Sequence, residues 1–149
     1  MRLQYKEKLS KILDVNYCIL MNNGTSATNA LLIALKYKHP NITKLYVPNN
    51  VFIAPYNCAL QHFEKSQLEV MKTNPETLNI DTSEDYIKTL TKDSAVLIVH
   101  NLGNIVNVPR LKRLRPDLIF IEDNCEGLFG KYEDTYTGTS SSTLCSAVS

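Results

Sequence analysis

Apolar positions along this chain fall into two alternating patterns, short continuous runs and longer stretches with helical spacing. Tyr5, Leu9, Ile12 and Leu13 stand at i, i+4, i+7 and i+8, which predicts a helix over residues 3–14. The run YCILM at 17–21 predicts a buried strand. After the polar stretch NGTSAT, residues Ala27, Ala30, Leu31, Ala34 and Leu35 repeat a helical face until Pro40 and Asn41 end it. KLYV at 44–47 reads as the next strand. Ile53, Tyr56, Leu60 and Phe63 mark a helix over 53–65, with Pro55 tolerated in its first turn.

The second half continues the alternation. LEVMK at 68–72 predicts a strand, and NPETLNIDTSED a turn-rich connection with Ser83 as N-cap of a short helix reaching about Leu90. AVLIV at 95–99 and LIFI at 118–121 are continuous apolar runs, the mark of strands covered on both faces. VPRLKRL between them reads as a helix or a single turn, GLFGKYEDTYTG as a hairpin, and SSSTLCSAVS as one more strand. Strand and helix alternate throughout, so the expected class is α/β with a mainly parallel sheet. The last residues run straight out of a strand-like segment, and the chain reads as cut.

Composition narrows the functional classes. The 149 residues suit one domain or one large piece of a bigger one. With 44% hydrophobic and 21% charged residues, a disordered tail, a collagen-like repeat and a coiled coil are excluded. Sixteen Lys+Arg against fifteen Asp+Glu leave a net charge of +1, which gives no electrostatic argument for nucleic acid or an acidic membrane surface. No apolar run approaches the ~20 residues of a bilayer span, and the N-terminus has no signal-peptide stretch. A soluble, cytoplasmic protein is expected. Cys18, Cys58, Cys125 and Cys145 form no C-x-x-C pair, so no metal site is expected and buried structural thiols are favoured over a disulfide or catalytic role.

Candidate chemistry gathers where strands give way to helices. Asn22-Asn23-Gly24-Thr25-Ser26 lies between an apolar run and an amphipathic helix. Free N–H groups and the helix dipole there favour a phosphate, whereas the plainer reading is a helix N-cap. The stretch is neither a P-loop nor a dinucleotide fingerprint, since G-K-S/T and G-x-G-x-x-G are both missing. Glu122-Asp123 closes an apolar strand, which puts Asp123 at the carboxyl edge of the sheet. There it serves either as partner to a cationic ring nitrogen or as a cap on the next turn. His100 holds the same place on the preceding strand, and right-handed crossover would make the two strands neighbours. Its plainer reading is a buried histidine satisfied by a nearby carbonyl. Phe52, at another strand-to-helix junction, is either core or an exposed ring for stacking.

Taken together and in order, NNGTSATNALLIAL, YVPNNVFIAPYNCAL, NPETLNID, VHNLGN with VPRLKRL downstream, and FIEDNCEGLFGKY resemble the N-terminal part of a known family. It is the DegT/DnrJ/EryC1/StrS group of pyridoxal 5'-phosphate (PLP)-dependent sugar aminotransferases, with fold type I, aspartate-aminotransferase-like architecture. The resemblance covers about residues 8 to 149. It implies the large domain of such an enzyme, incomplete at its C-terminus and without the small domain. Gly24, Thr25 and Ser26 would hold the cofactor phosphate, Phe52 would stack on the pyridine ring, and Asp123 would bond the protonated ring nitrogen. Glu126 stands where family members often carry Gln facing the ring hydroxyl, and a carboxylate there is unfavourable unless protonated. Ser149 matches a further phosphate contact.

By the same resemblance, the Schiff-base lysine lies a few residues beyond Ser149, and no lysine present matches its motif. The implied activity is amino transfer from an amino acid such as glutamate to a nucleotide-linked 4-keto-6-deoxy sugar, in a homodimer. The alternatives are an inactive remnant or partner subunit of a full-length homologue, and a piece of the related 3-dehydratase subgroup, which carries His for that Lys. A generic nucleotide-binding module would explain the alternation but not the ordered motifs. The 149 residues alone are expected to lack turnover, and YCILM, missing its neighbouring strand, is expected to form an unpaired apolar edge of the sheet.

Overall fold

The computed structural model describes residues 2–140. Four parallel strands form the centre: β1 (Lys44–Pro48), β2 (Leu68–Met71), β3 (Ser94–Val99) and β4 (Ile119–Asp123), in the spatial order β2-β1-β3-β4. Leu45 sits opposite Leu68 and Ala95, and β3 pairs with β4 from Ala95↔Ile119 to Val99↔Asp123. Every apolar run named above, except the first, becomes one of these strands. β1, β3 and β4 are buried along almost their whole length, as continuous Val/Ile/Leu runs require in a sheet covered on both faces.

Alternation along the strands sorts side chains into two cores. On one face, Leu45, Val47, Ala95, Leu97 and Ile121 pack with Leu32 and Leu35 of α2 (Gly24–Lys38) and Cys58 and Ala59 of α3 (Ile53–His62). On the other face, Tyr46, Met71, Val96, Ile98 and Phe120 pack with Ile87 of α4 (Glu84–Lys88) and Val108 and Leu111 of α5 (Val108–Leu114). The chain leaves β1 through α3 toward β2 and leaves β3 through α5 toward β4. The two connections run to opposite sides, so a topological switch lies between β1 and β3 at their carboxyl ends, where ligands bind in open α/β sheets. A hairpin of β5 (Lys131–Tyr132) and β6 (Thr135–Tyr136) follows.

Several expectations are corrected. Residues 17–21 form no strand; Tyr17 and Ile19 stand 89% and 82% exposed, so this run is not an edge of the sheet either. An apolar run becomes a buried strand only when a neighbour supplies hydrogen bonds and both faces are covered, and only Cys18 and Leu20 here are even half-buried. α1 (Arg2–Leu13) forms as expected, but Tyr5 and Ile12 of its apolar face stay exposed. α2 buries Gly24, Thr28, Leu32 and Leu35, a stripe rotated from the expected one. α3 ends at His62 and buries the small residues Pro55, Cys58 and Ala59, leaving Ile53 and Leu60 outside. Small side chains there let α3 approach α2 and the sheet closely. Ser83 occupies the N-cap of α4 without a side-chain bond, and Asp81 accepts its N–H instead. Cys58 is buried, but Cys18 is half-buried and Cys125 exposed. The expected strand in SSSTLCSAVS, with Cys145 and Ser149, lies outside the described residues.

Candidate cofactor site

The carboxyl ends of β1, β3 and β4 deliver the loop before α3, the His100 turn and Asp123 to one edge of the sheet. α2 begins beside this edge. Its cap is Asn23, whose Oδ1 accepts the Ser26 N–H at 2.8 Å. The capping reading of Gly-Thr-Ser therefore falls to the residue before it, and the Thr25 and Ser26 hydroxyls are not spent on the cap. Gly24 is buried, Thr25 exposed and Ser26 half-buried. No acidic residue lies in the first turn of this 15-residue helix, so its positive end is uncompensated from within the helix.

Asp123 is 6% exposed. Because Ile121 belongs to the core beneath α2 and α3, strand alternation turns Asp123 toward the same side. Cys58 links the two: its thiol reaches the Thr25 carbonyl oxygen at 3.6 Å. Its pKa is raised, first by burial and then by the charge of Asp123. The helix start, Cys58 and the strand-end carboxylate thus share one neighbourhood. Asp123 also does what its plainer reading required, with Oδ1 accepting the Cys125 N–H at 3.0 Å.

Phe52 occupies the N-cap position of α3 and is 76% exposed, so it is not a core residue. Its loop is tied down by Asn101, whose Nδ2 donates to the carbonyls of Asn50 and Leu78, each at 2.9 Å. Glu126 is exposed and is engaged elsewhere: its Oε2 accepts the N–H of Leu102. Leu102 has left-handed backbone (φ 55°, ψ 24°), so this bond steadies a turn with a cost of its own. Glu126 therefore stands at the expected edge but is spent on the Asn101–Gly103 turn. Ser149 lies outside the described residues.

Glu122 and His100 take the opposite face. His100 is fully buried, and its Nδ1 accepts the Val106 N–H at 3.1 Å while Nε2 faces Glu122 Oε2 at 3.2 Å. The expectation of a carbonyl partner is corrected to an amide and a carboxylate, and the neighbouring of β3 and β4 is confirmed. The roles of Cys58 and Asn101 and the Glu122 pairing were missed in the sequence. Asn101 and Glu122 could have been found only by their places at strand ends, and Cys58, in the middle of α3, carried no such signal.

This donor set suits PLP. The free end of a helix and two hydroxyls match a phosphate, a buried carboxylate matches a protonated ring nitrogen, and an exposed aromatic ring matches a flat heterocycle. No helix among the described residues is long and apolar enough to cross a membrane.

The chain is similar to known enzymes along most of its length. It is 25% identical over 142 residues to a GDP-4-keto-6-deoxy-D-mannose 3-dehydratase of Escherichia coli O55:H7, covering 91% of this chain and 36% of that one. It is 28% identical over 138 residues to a GDP-perosamine synthase of Escherichia coli O157:H7, covering 91% of this chain and 37% of the other. The solved structure of the E. coli GDP-4-keto-6-deoxy-D-mannose-3-dehydratase with bound hydrated PLP superposes with a TM-score of 0.75 at 25% identity, over 91% of this chain and 36% of that one. The chain therefore spans little more than a third of the length of these relatives. The model of the DegT/DnrJ/EryC1/StrS aminotransferase family matches residues 2–149, and the chain, an α/β unit of fold type I, belongs to that family.

Proposed function

We propose that these residues form the cofactor-holding part of a PLP-dependent enzyme that transfers an amino group from an amino acid such as glutamate to a nucleotide-linked 4-keto-6-deoxy sugar. The observation that carries the reading is Asp123: a buried carboxylate at the end of β4, turned to the side on which α2 and α3 pack, where its charge acts on Cys58 and Cys58 reaches Thr25. When bound, PLP supplies a protonated pyridine ring that withdraws electrons from a reacting carbon. Asp123 holds the proton on that ring nitrogen, using the oxygen not engaged by Cys125. Gly24, Thr25 and Ser26 take the phosphate through N–H groups and hydroxyls, and Phe52 covers one ring face. Glu126 fixes the turn beside the ring, and Ser149 adds a phosphate contact.

The GDP-sugar names of both curated relatives support a nucleotide-sugar substrate. A second reading, the 3-dehydratase, is supported by the name of one of them. The choice between the readings turns on Lys or His at the position the family places beyond Ser149. Homodimerisation of the whole enzyme belongs to the proposal.

The test is a PLP titration of the 149-residue chain followed by absorbance, with Asp123→Asn beside it, then borohydride reduction and intact mass. Saturable binding, weakened in Asp123→Asn and without covalent capture at one lysine, is expected. Absence of saturable binding, or equal affinity in the variant, would overturn the assignment.

A further inference from the structure

Glu122 is 3% exposed, yet its carboxylate is met by donors from two separate segments. Oε2 accepts from His100 Nε2 at 3.2 Å and from the Gly138 N–H at 2.8 Å, and Oε1 accepts from Ser140 Oγ at 3.1 Å. The Val106 N–H donates to His100 Nδ1 at 3.1 Å, which makes that nitrogen the acceptor and leaves the ring proton on Nε2, facing Glu122. Residues 137–140 are held a second time by Thr137, whose Oγ1 donates to Gly127 O at 2.8 Å and whose N–H donates to Gly130 O at 2.9 Å. From α5, Lys112 has its pKa lowered by burial, with the charge of Glu122 acting in the opposite direction. The pair is buried away from any substrate, and no role in the reading above uses it.

We infer that His100 and Glu122 are positioning residues, a buried clamp that fixes residues 137–140 against the end of β4 and so sets the loop bearing Glu126 and the strand end bearing Asp123. The inference rests on the cofactor reading only in its second half. The clamp works through hydrogen bonds, not through proton transfer. The backbone of Val106 locks the histidine tautomer, so Nε2–H always presents a donor. In Glu122→Gln an amide oxygen at the Oε2 position still accepts from His100 and Gly138. The amide nitrogen then donates to Ser140 Oγ, a hydroxyl that accepts as readily as it donates. Every polar atom stays partnered. In Glu122→Leu, three donors lose their acceptor at once.

Amide hydrogen exchange and PLP titration on the same variants test this. Glu122→Leu is expected to speed exchange at Gly138 by about ten- to a hundredfold, the loss of a bond to a charged group, with α2 and β1 unchanged and PLP affinity reduced about tenfold. Glu122→Gln is expected to restore both. Should Glu122→Leu fail to fold, Ser140→Ala, which removes a single donor, is expected to loosen residues 137–140 to a smaller extent. Unchanged exchange at Gly138 in both Glu122→Leu and Ser140→Ala would overturn the clamp. Faster exchange with unchanged PLP affinity would overturn its link to the cofactor. Glu122→Gln behaving like Glu122→Leu would overturn the hydrogen-bond account. If the unmodified chain binds no PLP, the cofactor reading fails, and the exchange data still decide the clamp.

Discussion

Glu122 and Asp123 are consecutive in β4 and serve opposite faces of the sheet. Phe120 and Ile121 before them lie in the two different cores, and the period of two carries on to the carboxylates. Glu122 meets His100, and Asp123 acts on Cys58 of α3. A one-residue slip of β4 would exchange the two, placing the clamp residue beneath α2 and the ring partner against α5. The pairing of Val99 with Asp123 is therefore as much a functional feature as a structural one.

The thiol of Cys58 is held above its ordinary pKa, first by burial and second by Asp123. The folded state keeps the proton that the unfolded thiol releases, so stability is undiminished below about pH 8.5 and falls as pH rises past that value. Asp123→Asn removes the second cause only. Cys58, followed by its 13Cβ shift, is expected to titrate at lower pH in Asp123→Asn while staying above an ordinary thiol. An unchanged midpoint would disconnect the two residues. Cys58→Ala is expected to flatten the alkaline loss of stability seen in urea melts.

Gly127 marks a place where the backbone passes too close for any side chain. A Cβ there would lie 2.6 Å from His100 Cβ and 3.0 Å from its Cγ. The ring cannot retreat, because it is fully buried and bonded at both nitrogens. Gly127→Ala is expected to cost about 1–3 kcal/mol, the range for overpacking, read as a lower urea midpoint. Addition of His100→Gly, which removes the Cβ as well as the ring, to Gly127→Ala should recover part of that loss in a double-mutant cycle; strict additivity would show that the contact is not the cause.

The sheet was legible because its strands are continuous apolar runs, a pattern that survives without knowledge of neighbours. The run at 17–21 looks the same in sequence, but Tyr17 and Ile19 are exposed, since apolar character alone does not supply a pairing partner. Helix positions were right and helix faces rotated. In α2 the buried stripe runs through Gly24 and Thr28, residues that hydrophobic spacing does not score. Of the site, Asp123 was legible as the end of a strand, whereas the start of α2 was read beside a strand at 17–21 that does not form. The engagement of Glu126 by Leu102 and of Glu122 by Gly138 was not legible, because each joins residues well apart in the chain through a backbone N–H that carries no sequence signature.

Asn101 governs the loop that presents Phe52. It is 8% exposed, its side chain donates to Asn50 O and Leu78 O, and its own N–H is accepted by Asn79 Oδ1 at 2.9 Å. Asn50 adds a weaker bond to Leu78 O at 3.2 Å. Asn101→Ala strips the loop of the Asn50 anchor and is expected to cost about 1–3 kcal/mol. Amides of residues 50–53 should exchange faster, and PLP affinity should drop without loss of saturation. Faster exchange with unchanged affinity would remove Phe52 from the ring contact.

Glu126 offers the sharpest functional contrast. Its Oε2 accepts the N–H of Leu102, a residue 70% exposed with left-handed backbone, so the turn depends on an acceptor rather than on a charge. Gln supplies the same acceptor and adds an N–H₂ group. Where a carboxylate repels the phenolate-like oxygen of PLP, an amide donates to it. Glu126→Gln is therefore expected to keep the Leu102 amide protected and to bind PLP at least as tightly as the unmodified chain. Glu126→Ala is expected to expose the Leu102 amide to exchange and to weaken binding. Clearly weaker PLP binding in Glu126→Gln, with Leu102 still protected, would show that the carboxylate itself contacts a group on the ligand that donates to it.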